Sequence, residues 1–182
     1  MKKYFLILYF ILPATEVSAS VKNNIIKNLK NINNLTFNFE QNINGKIEDG
    51  SCILEYPKKI FCKYNLNNQK ILVSNGRSLV IKTRNSYYIY PLEKTPLNLI
   101  LDKGFLLSKI KNVKERLVNE KFINFQFLEN ENEINIFFNK ENYDLIGWQT
   151  LDIYQNLSIT FISTIRKNKK LKKNLFKLPK QN

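Results

Sequence analysis

Apolar and polar residues alternate along most of this chain, and a period of two is the pattern of a β-strand with one buried face. Leu35, Phe37 and Phe39 show the alternation first, with polar residues between them. Similar short runs recur through most of the remaining sequence, and turn sequences such as Asn75-Gly76 separate them. Strands joined by such short turns pair antiparallel. The sequence therefore predicts one long antiparallel sheet of about nine to eleven strands.

Two regions follow a helical period instead. Ser20 to Ile32 carries apolar residues at helical spacing and predicts an N-terminal amphipathic helix. In the middle of the chain, Thr95 as N-cap and Pro96 at the first helical position predict a helix start, and Phe105 to Ile110 predicts a second short helix. Strongly twisted sheets of this size curl. The predicted fold class is therefore α+β, mainly β with a helical lid: a single curved antiparallel sheet forms an unclosed β-barrel, and the N-terminal helix and short central helices cover its concave face.

The N-terminus has the layout of a secretory signal peptide. Met1-Lys2-Lys3 is positively charged, Tyr4 to Leu12 is an uninterrupted apolar run, and Val17-Ser18-Ala19 places small residues where a signal peptidase cuts. The apolar run is too short to anchor the chain in a bilayer. We expect residues 1–19 to be a signal peptide and residues 20–182 to be one exported domain.

The net charge of +14 suggests an anionic partner. Exported proteins rarely meet nucleic acid, so we expect no nucleic-acid partner. Abundant Lys, Asn and Ile are also typical of an AT-rich gene, whereas attraction to an anionic membrane surface or an acidic protein is the functional alternative. Residues 166–182 hold eight basic residues and no acidic one. Leu175 to Leu178 is expected to add a final edge strand, where lysines would also guard against aggregation.

The residue types in the chain exclude several kinds of active site. There is no histidine, which removes Ser-His-Asp and Cys-His nucleophilic sites and His-ligated zinc. Two cysteines cannot form a thiolate zinc cage, and no Gly-rich phosphate loop is present. Glu48 and Asp49 fall at an expected turn and are interpreted as solvated. We expect no catalytic residues, no metal site and no cofactor, so the chain is not expected to be an enzyme.

Cys52 and Cys62 flank the expected hairpin turn at Tyr56 to Lys59 and share one face of the sheet. If the register sets them opposite each other, an oxidising compartment could join them in a disulfide. A pairing shifted by two residues would leave them diagonal. A pair of small buried side chains is then the alternative.

The concave side of the predicted sheet is rich in aromatic residues, and two interpretations of it stay open. A cavity beneath the helices would suit an apolar ligand such as acyl chains. An ordinary core, in which the phenylalanines pack directly on the helices, explains the same periodicity.

Four segments follow one another along the chain: Leu35 to Gln41 (LTFNFEQ), Gly50 to Tyr64 (GSCILEYPKKIFCKY), Ile71 to Gly76 (ILVSNG) and Tyr90 to Leu97 (YPLEKTPL). In this order they resemble the LolA-type outer-membrane lipoprotein carriers of Gram-negative bacteria. Trp148 and Asp152 also fall where the late hairpin of that family often has Trp and Asp. The resemblance covers nearly all of the chain after residue 19.

This resemblance implies a periplasmic carrier. Such a protein accepts acylated lipoproteins from an inner-membrane ABC transporter, shields their acyl chains in an apolar cavity and delivers them to an outer-membrane acceptor. We expect it to act as a monomer. From strand parity and position, the expected cavity residues are Leu35, Phe37, Phe39, Leu54, Tyr56, Ile60, Tyr64 and Trp148. The expected lid residues are Pro96, Leu97, Ile100 and Leu101.

One position departs from the family pattern. Many members carry an arginine just before the hairpin proline, where it helps to hold the lid shut, and this chain has Tyr56 there. A tyrosine hydroxyl could bond a lid carbonyl with a single donor and no charge. Two other functions stay open: a lipoprotein sensor or regulator on the same fold, and a lipid binder that uses the basic C-terminus at a membrane surface.

Overall fold

Eleven strands and three α-helices make up the described part of the chain, residues 20–65, 69–129, 132–152 and 154–181 of a computed structural model. The predicted signal peptide lies outside the described residues. The helices are α1 (Val21–Lys30), α2 (Leu97–Ile100) and α3 (Lys103–Asn112), and a 3-10 turn at Leu92–Lys94 precedes α2. The strands are β1 (Asn34–Ile43), β2 (Lys46–Glu55), β3 (Lys59–Tyr64), β4 (Ile71–Asn75), β5 (Ser78–Lys82), β6 (Tyr87–Pro91), β7 (Arg116–Val118), β8 (Phe122–Glu129), β9 (Asn132–Asn139), β10 (Leu145–Leu151) and β11 (Leu157–Lys167).

All eleven strands belong to one antiparallel sheet with the order β6-β5-β4-β3-β2-β1-β11-β10-β9-β8-β7. Apart from β6 and β7, strands adjacent in sequence are neighbours in the sheet, and the pairing of β1 with β11 joins its two halves. The sheet ends at β6 and β7, which do not pair with each other, so the barrel is not closed. The predicted fold class is confirmed.

Two side chains cap the longer helices as their sequences require. The Asn23 N–H donates to Ser20 Oγ at 3.3 Å at the start of α1, and the Phe105 N–H donates to Asp102 Oδ1 at 3.0 Å at the start of α3. The expected N-cap role of Thr95 is wrong. Its hydroxyl donates to the Leu92 carbonyl at 2.8 Å and closes the preceding 3-10 turn instead.

The helices fill one end of the concave face. Ile25 and Leu29 of α1 and Leu106 and Ile110 of α3 are at most 1% exposed and belong to the same apolar core as the inward-facing strand residues. Burial of this helical face accounts for most of the helices' stability, since helices of this length are marginal alone. Among the described residues, no helix is long and apolar enough to cross a bilayer.

Residues 168–181, here called the strap, form no strand, so the predicted edge strand at Leu175 to Leu178 is wrong. The chain leaves β11 in the middle of the sheet, between β1 and β10, where no edge is free. The strap instead runs across the outer face of the sheet toward β6. The Asn168 N–H donates to the Asn34 carbonyl at 2.9 Å, and at the far end the Tyr87 hydroxyl donates to the Pro179 carbonyl at 3.2 Å.

Candidate functional site

The other end of the concave face holds a cavity of about 690 Å³. Its wall comes mainly from strands β1 to β6 together with β10 and β11, and the start of α2 covers part of it. This volume lies within the range of about 300–1,000 Å³ that is usual for small-molecule sites. Apolar wall residues include Phe37, Phe39, Ile60, Leu72, Leu79 and Leu97. The cavity therefore exists beside an ordinary core, and each takes a different part of the concave face.

Five of the eight expected cavity residues line this space: Phe37, Phe39, Ile60, Tyr64 and Trp148. Phe39 and Tyr64 pack edge to face, with ring centroids 5.0 Å apart.

The other three, Leu35, Leu54 and Tyr56, do not line the cavity. They face the concave side as their parity predicts, but they are buried in the core at the end that the helices fill.

The expected lid residues divide in the same way. Pro96 and Leu97 line the cavity, whereas Ile100 and Leu101 have no exposed surface and pack in the core. The part of the lid that borders the cavity is therefore the N-terminal end of α2. The C-terminal end of α2 anchors the lid in the helical core.

The polar end of the cavity was not predicted from the strand pattern. Gln41, Thr150, Ser158 and Thr160 line it, and Gln41 lies opposite Glu48 of β2 and Thr160 of β11 in the sheet register. The Gln41 Nε2 donates to Ser158 Oγ at 3.0 Å and to Thr160 Oγ1 at 3.3 Å. The signal was present in the sequence, because polar residues occupy inward-facing positions of β1, β10 and β11. An apolar end and a hydrogen-bonding end together suit an amphiphilic ligand.

Glu48 is also part of this polar end, and its interpretation as a solvated turn residue is wrong. It lies within β2, is 6% exposed, and pairs with Lys70 at 2.5 Å and with Lys46 at 3.3 Å. Burial alone would raise the pKa of Glu48, but hydrogen bonds and charge from Lys70 and then Lys46 hold the pKa below its ordinary value. Lys70 also lies 4.1 Å from the Tyr64 ring centroid. The carboxylate therefore stays charged at neutral pH.

Cys52 and Cys62 are directly opposite in the pairing of β2 with β3, and their sulfurs are bonded. Both residues are nearly buried and line the cavity. The bond ties the hairpin that forms one wall of the cavity.

The Tyr56 hydroxyl could have bonded a lid carbonyl, but it makes no hydrogen bond to the described part of the lid. Among the described residues, its Oη is the one fully buried side-chain polar atom without a hydrogen-bond partner. Burial raises the pKa of Tyr56 above its ordinary value. Lys58 makes the contact instead: its N–H donates to the Leu101 carbonyl at 2.9 Å, and its Nζ lies 3.3 Å from Asp102 Oδ2. The hairpin is therefore bonded to the link between α2 and α3 through Lys58, which lies two residues after Tyr56.

We expect Tyr56→Phe to stabilise the fold by about 1 kcal/mol, because it removes a buried hydroxyl that has no partner. Urea unfolding of the purified protein measures the change. Tyr87→Phe is the matched control, since it removes a hydroxyl that donates to the strap, and it should be neutral or destabilising. A loss of stability in Tyr56→Phe would show that the hydroxyl has a partner after all.

Two tyrosines meet at the mouth of the cavity. Tyr90 on edge strand β6 and Tyr154 in the turn between β10 and β11 line the opening, and their hydroxyl oxygens are 3.4 Å apart. The hydrogen bond to Tyr154, with smaller contributions from burial and neighbouring phenols, raises the pKa of Tyr90 to about 12. The Tyr90 hydroxyl therefore stays protonated at physiological pH, and the contact spans the opening between the two halves of the sheet.

The described residues contain no cluster of three or more potential metal ligands. An open half-barrel with an apolar cavity beneath a short helical lid defines a class of proteins built to enclose an apolar ligand. The family model described as "Outer membrane lipoprotein carrier protein LolA" matches residues 30–179. The chain belongs to this family, and the resemblance noted in the sequence is confirmed.

Solved structures are similar to this chain at very low sequence identity, and those with a TM-score of 0.50 or more share its fold. An uncharacterised conserved protein from Thermus thermophilus is 8% identical, with a TM-score of 0.51 over 89% of this chain and 93% of that one. MucB in the Pseudomonas aeruginosa MucA/MucB complex is 9% identical, with a TM-score of 0.50 over 88% of this chain and 62% of that one. A LolA superfamily protein from Nitrosomonas europaea is 7% identical, with a TM-score of 0.46 over 87% and 96%. No curated protein sequence matches this chain significantly.

Proposed function

We propose that this protein is a periplasmic carrier of acylated lipoproteins. The observation that carries the proposal is the apolar cavity of about 690 Å³ under the start of α2, in a chain of the LolA family. An acyl chain exposed to water costs about 0.8 kcal/mol per methylene group, so a lipoprotein outside a membrane needs such a shield. The apolar end, with Phe37 and Ile60, takes the hydrocarbon. The polar end, with Gln41 and Thr160, faces the linkage that joins the hydrocarbon to the polypeptide of the lipoprotein.

Carriage also requires release. The Lys58 contacts to Leu101 and Asp102 hold the lid to the hairpin, and the Tyr90–Tyr154 contact links the two sides of the mouth. Buried Ile100 and Leu101 keep the C-terminal end of α2 in the core, so the part of the structure that a partner can open at small cost is the mouth, where Tyr90 meets Tyr154. No covalent step is needed, and the proposal assigns no catalytic residue.

The proposal places the protein between two membranes. An inner-membrane ABC transporter supplies the lipoprotein, and an outer-membrane acceptor receives it. The Cys52–Cys62 bond supports an oxidising compartment such as the periplasm.

An ATP-dependent release assay tests the proposal. The purified protein is incubated with inner-membrane vesicles that hold the transporter and a labelled triacylated lipoprotein, and the soluble fraction is then separated by size. We expect the lipoprotein to coelute with this protein only when ATP is added. Absence of a soluble complex, when the same vesicles load the transporter's own carrier, would overturn the proposal and favour a sensor or regulator role.

A further inference from the structure

The strap carries a cluster of lysines whose side chains make no hydrogen bond or ion pair with the described part of the fold. All six lysines of residues 168–181 are exposed, and none of their side chains has a hydrogen bond or an ion pair among the described residues. Acidic residues are absent from the strap. The six are Lys169, Lys170, Lys172, Lys173, Lys177 and Lys180.

The strap differs from the rest of the chain in how its lysines are grouped. Some lysines of the helices and strands pair with carboxylates, as Lys22 does with Glu115 at 3.3 Å and Lys109 does with Glu129 at 2.6 Å. No strap lysine takes part in the ion pairs of the described residues. Single exposed lysines elsewhere, such as Lys27, also lack an ion pair to a described residue, but the strap gathers six lysines within residues 169–180 with no acidic residue between them.

The strap is held in place by other groups. The Asn34 carboxamide accepts from the Lys169 N–H at 2.9 Å, and Lys82 Nζ donates to the Lys180 carbonyl at 2.8 Å. Between these ends, Lys59 Nζ lies 5.9 Å from the Phe176 ring centroid.

The strap also has a packing role that needs no charge. Lys59, Lys82 and Tyr87, which the strap contacts, point to the outer face of the sheet. Val73 and Val80 share that face, yet they are 1% and 0% exposed, so the strap covers them. Apolar side chains alone would suffice for this cover.

A protective role at a strand edge does not explain the lysines either. The sheet ends at β6 and β7, whereas the strap starts beside β1, crosses the outer face and reaches β6 only at its far end, where Tyr87 donates to Pro179. The four lysines at the start of the strap, within residues 169–173, therefore lie over strands whose backbone groups are already paired, where no edge needs protection.

We propose that the strap docks the protein onto an anionic membrane surface. Exposed lysines spread along the strap match the diffuse charge of a lipid surface, which requires no fixed geometry. Half-buried Leu171, Leu175 and Phe176 lie among them and can enter the interfacial region. An acidic protein would instead call for a shaped site with bonded partners. The strap is on the outer face, opposite the cavity, so docking leaves the cavity mouth unobstructed.

Vesicle sedimentation tests this proposal without any cargo. The purified exported protein is mixed with phosphatidylcholine vesicles that contain or lack phosphatidylglycerol. We expect binding only to the anionic vesicles, lost in about 0.5 M salt because charge is screened. Substitution of four strap lysines (K169Q, K170Q, K172Q and K173Q) should weaken binding by at least about 30-fold. Equal binding to both vesicle types would mean that lipid enters the cavity, and it would overturn the proposal.

A second variant tests whether binding depends on the strap itself or only on the net charge of the protein. K27Q, K111Q, K121Q and K140Q remove the same number of charges at exposed positions away from the strap and should keep most of the binding. An equal loss in both variants would overturn the strap as the docking surface. Binding to neither vesicle type would also overturn the proposal and direct the search to an acidic protein. The release assay is independent, because its readout is a soluble complex and not vesicle binding.

Discussion

Replacing Phe39 with aspartate is expected to lower the loading of acylated cargo at least about tenfold, a change of about 1.4 kcal/mol or more in binding free energy. Phe39 is 6% exposed, lies in the cavity wall and packs against Tyr64. A carboxylate there would have to lose its hydration when acyl chains enter, which costs several kcal/mol. The release assay measures loading as the fraction of lipoprotein that coelutes with the carrier. Export of the protein should not change.

Phe161→Asp is the matched control for this prediction. Phe161 lies on β11, is 55% exposed and points to the outer face, so a charge there should leave loading intact. Thermal unfolding of both variants separates a loading defect from a folding defect, and Phe39→Leu should restore most of the loading. Normal loading of a folded Phe39→Asp variant would remove Phe39 from the binding wall.

Loss of the Cys52–Cys62 bond should cost about 2–3 kcal/mol of unfolding free energy. The bond closes a short loop, with a sequence separation of 10, and it limits the freedom of the unfolded chain. The double variant Cys52→Ala/Cys62→Ala tests this by urea unfolding. Wild-type protein treated with a reductant should show the same loss, since both treatments free the same two strands.

The response of the double variant to reductant provides the control. A protein without the two cysteines should unfold at the same urea concentration with and without reductant. If reductant left the unfolding free energy of the wild type unchanged, and the double variant had the same unfolding free energy, the bond would be dispensable for the fold.

The sequence pattern predicted the sheet well because each strand carries its own signal. Alternation at Leu35, Phe37 and Phe39 marks the inward face of β1, and Asn75-Gly76 marks the turn before β5. Gly76 adopts a φ of +98°, a conformation that glycine allows at no steric cost. Such signals are local, and an antiparallel sheet with short connections is built largely from local pairings.

The candidate site was harder to predict because its residues depend on distant contacts. Leu35 and Leu54 have the right parity for the cavity, but the helices fill that end of the concave face. Glu48 resembles a turn residue in the sequence, but in the structure it is paired with Lys70, which is 22 positions away. Tyr56 has the right position for a latch, yet Lys58 makes the contact. In each case the outcome follows from three-dimensional packing and not from the period of the strand.

The missing pairing between β6 and β7 has a mechanical consequence for the wall. In a closed barrel, strand number and stagger set the radius, so a wider interior requires ladder hydrogen bonds to break. At the cavity end the two sides of the wall can spread with every ladder intact, against side-chain contacts such as Tyr90 with Tyr154, while the helical core holds the other end. The width of the cavity can therefore change at its mouth, and one wall can enclose ligands of different size.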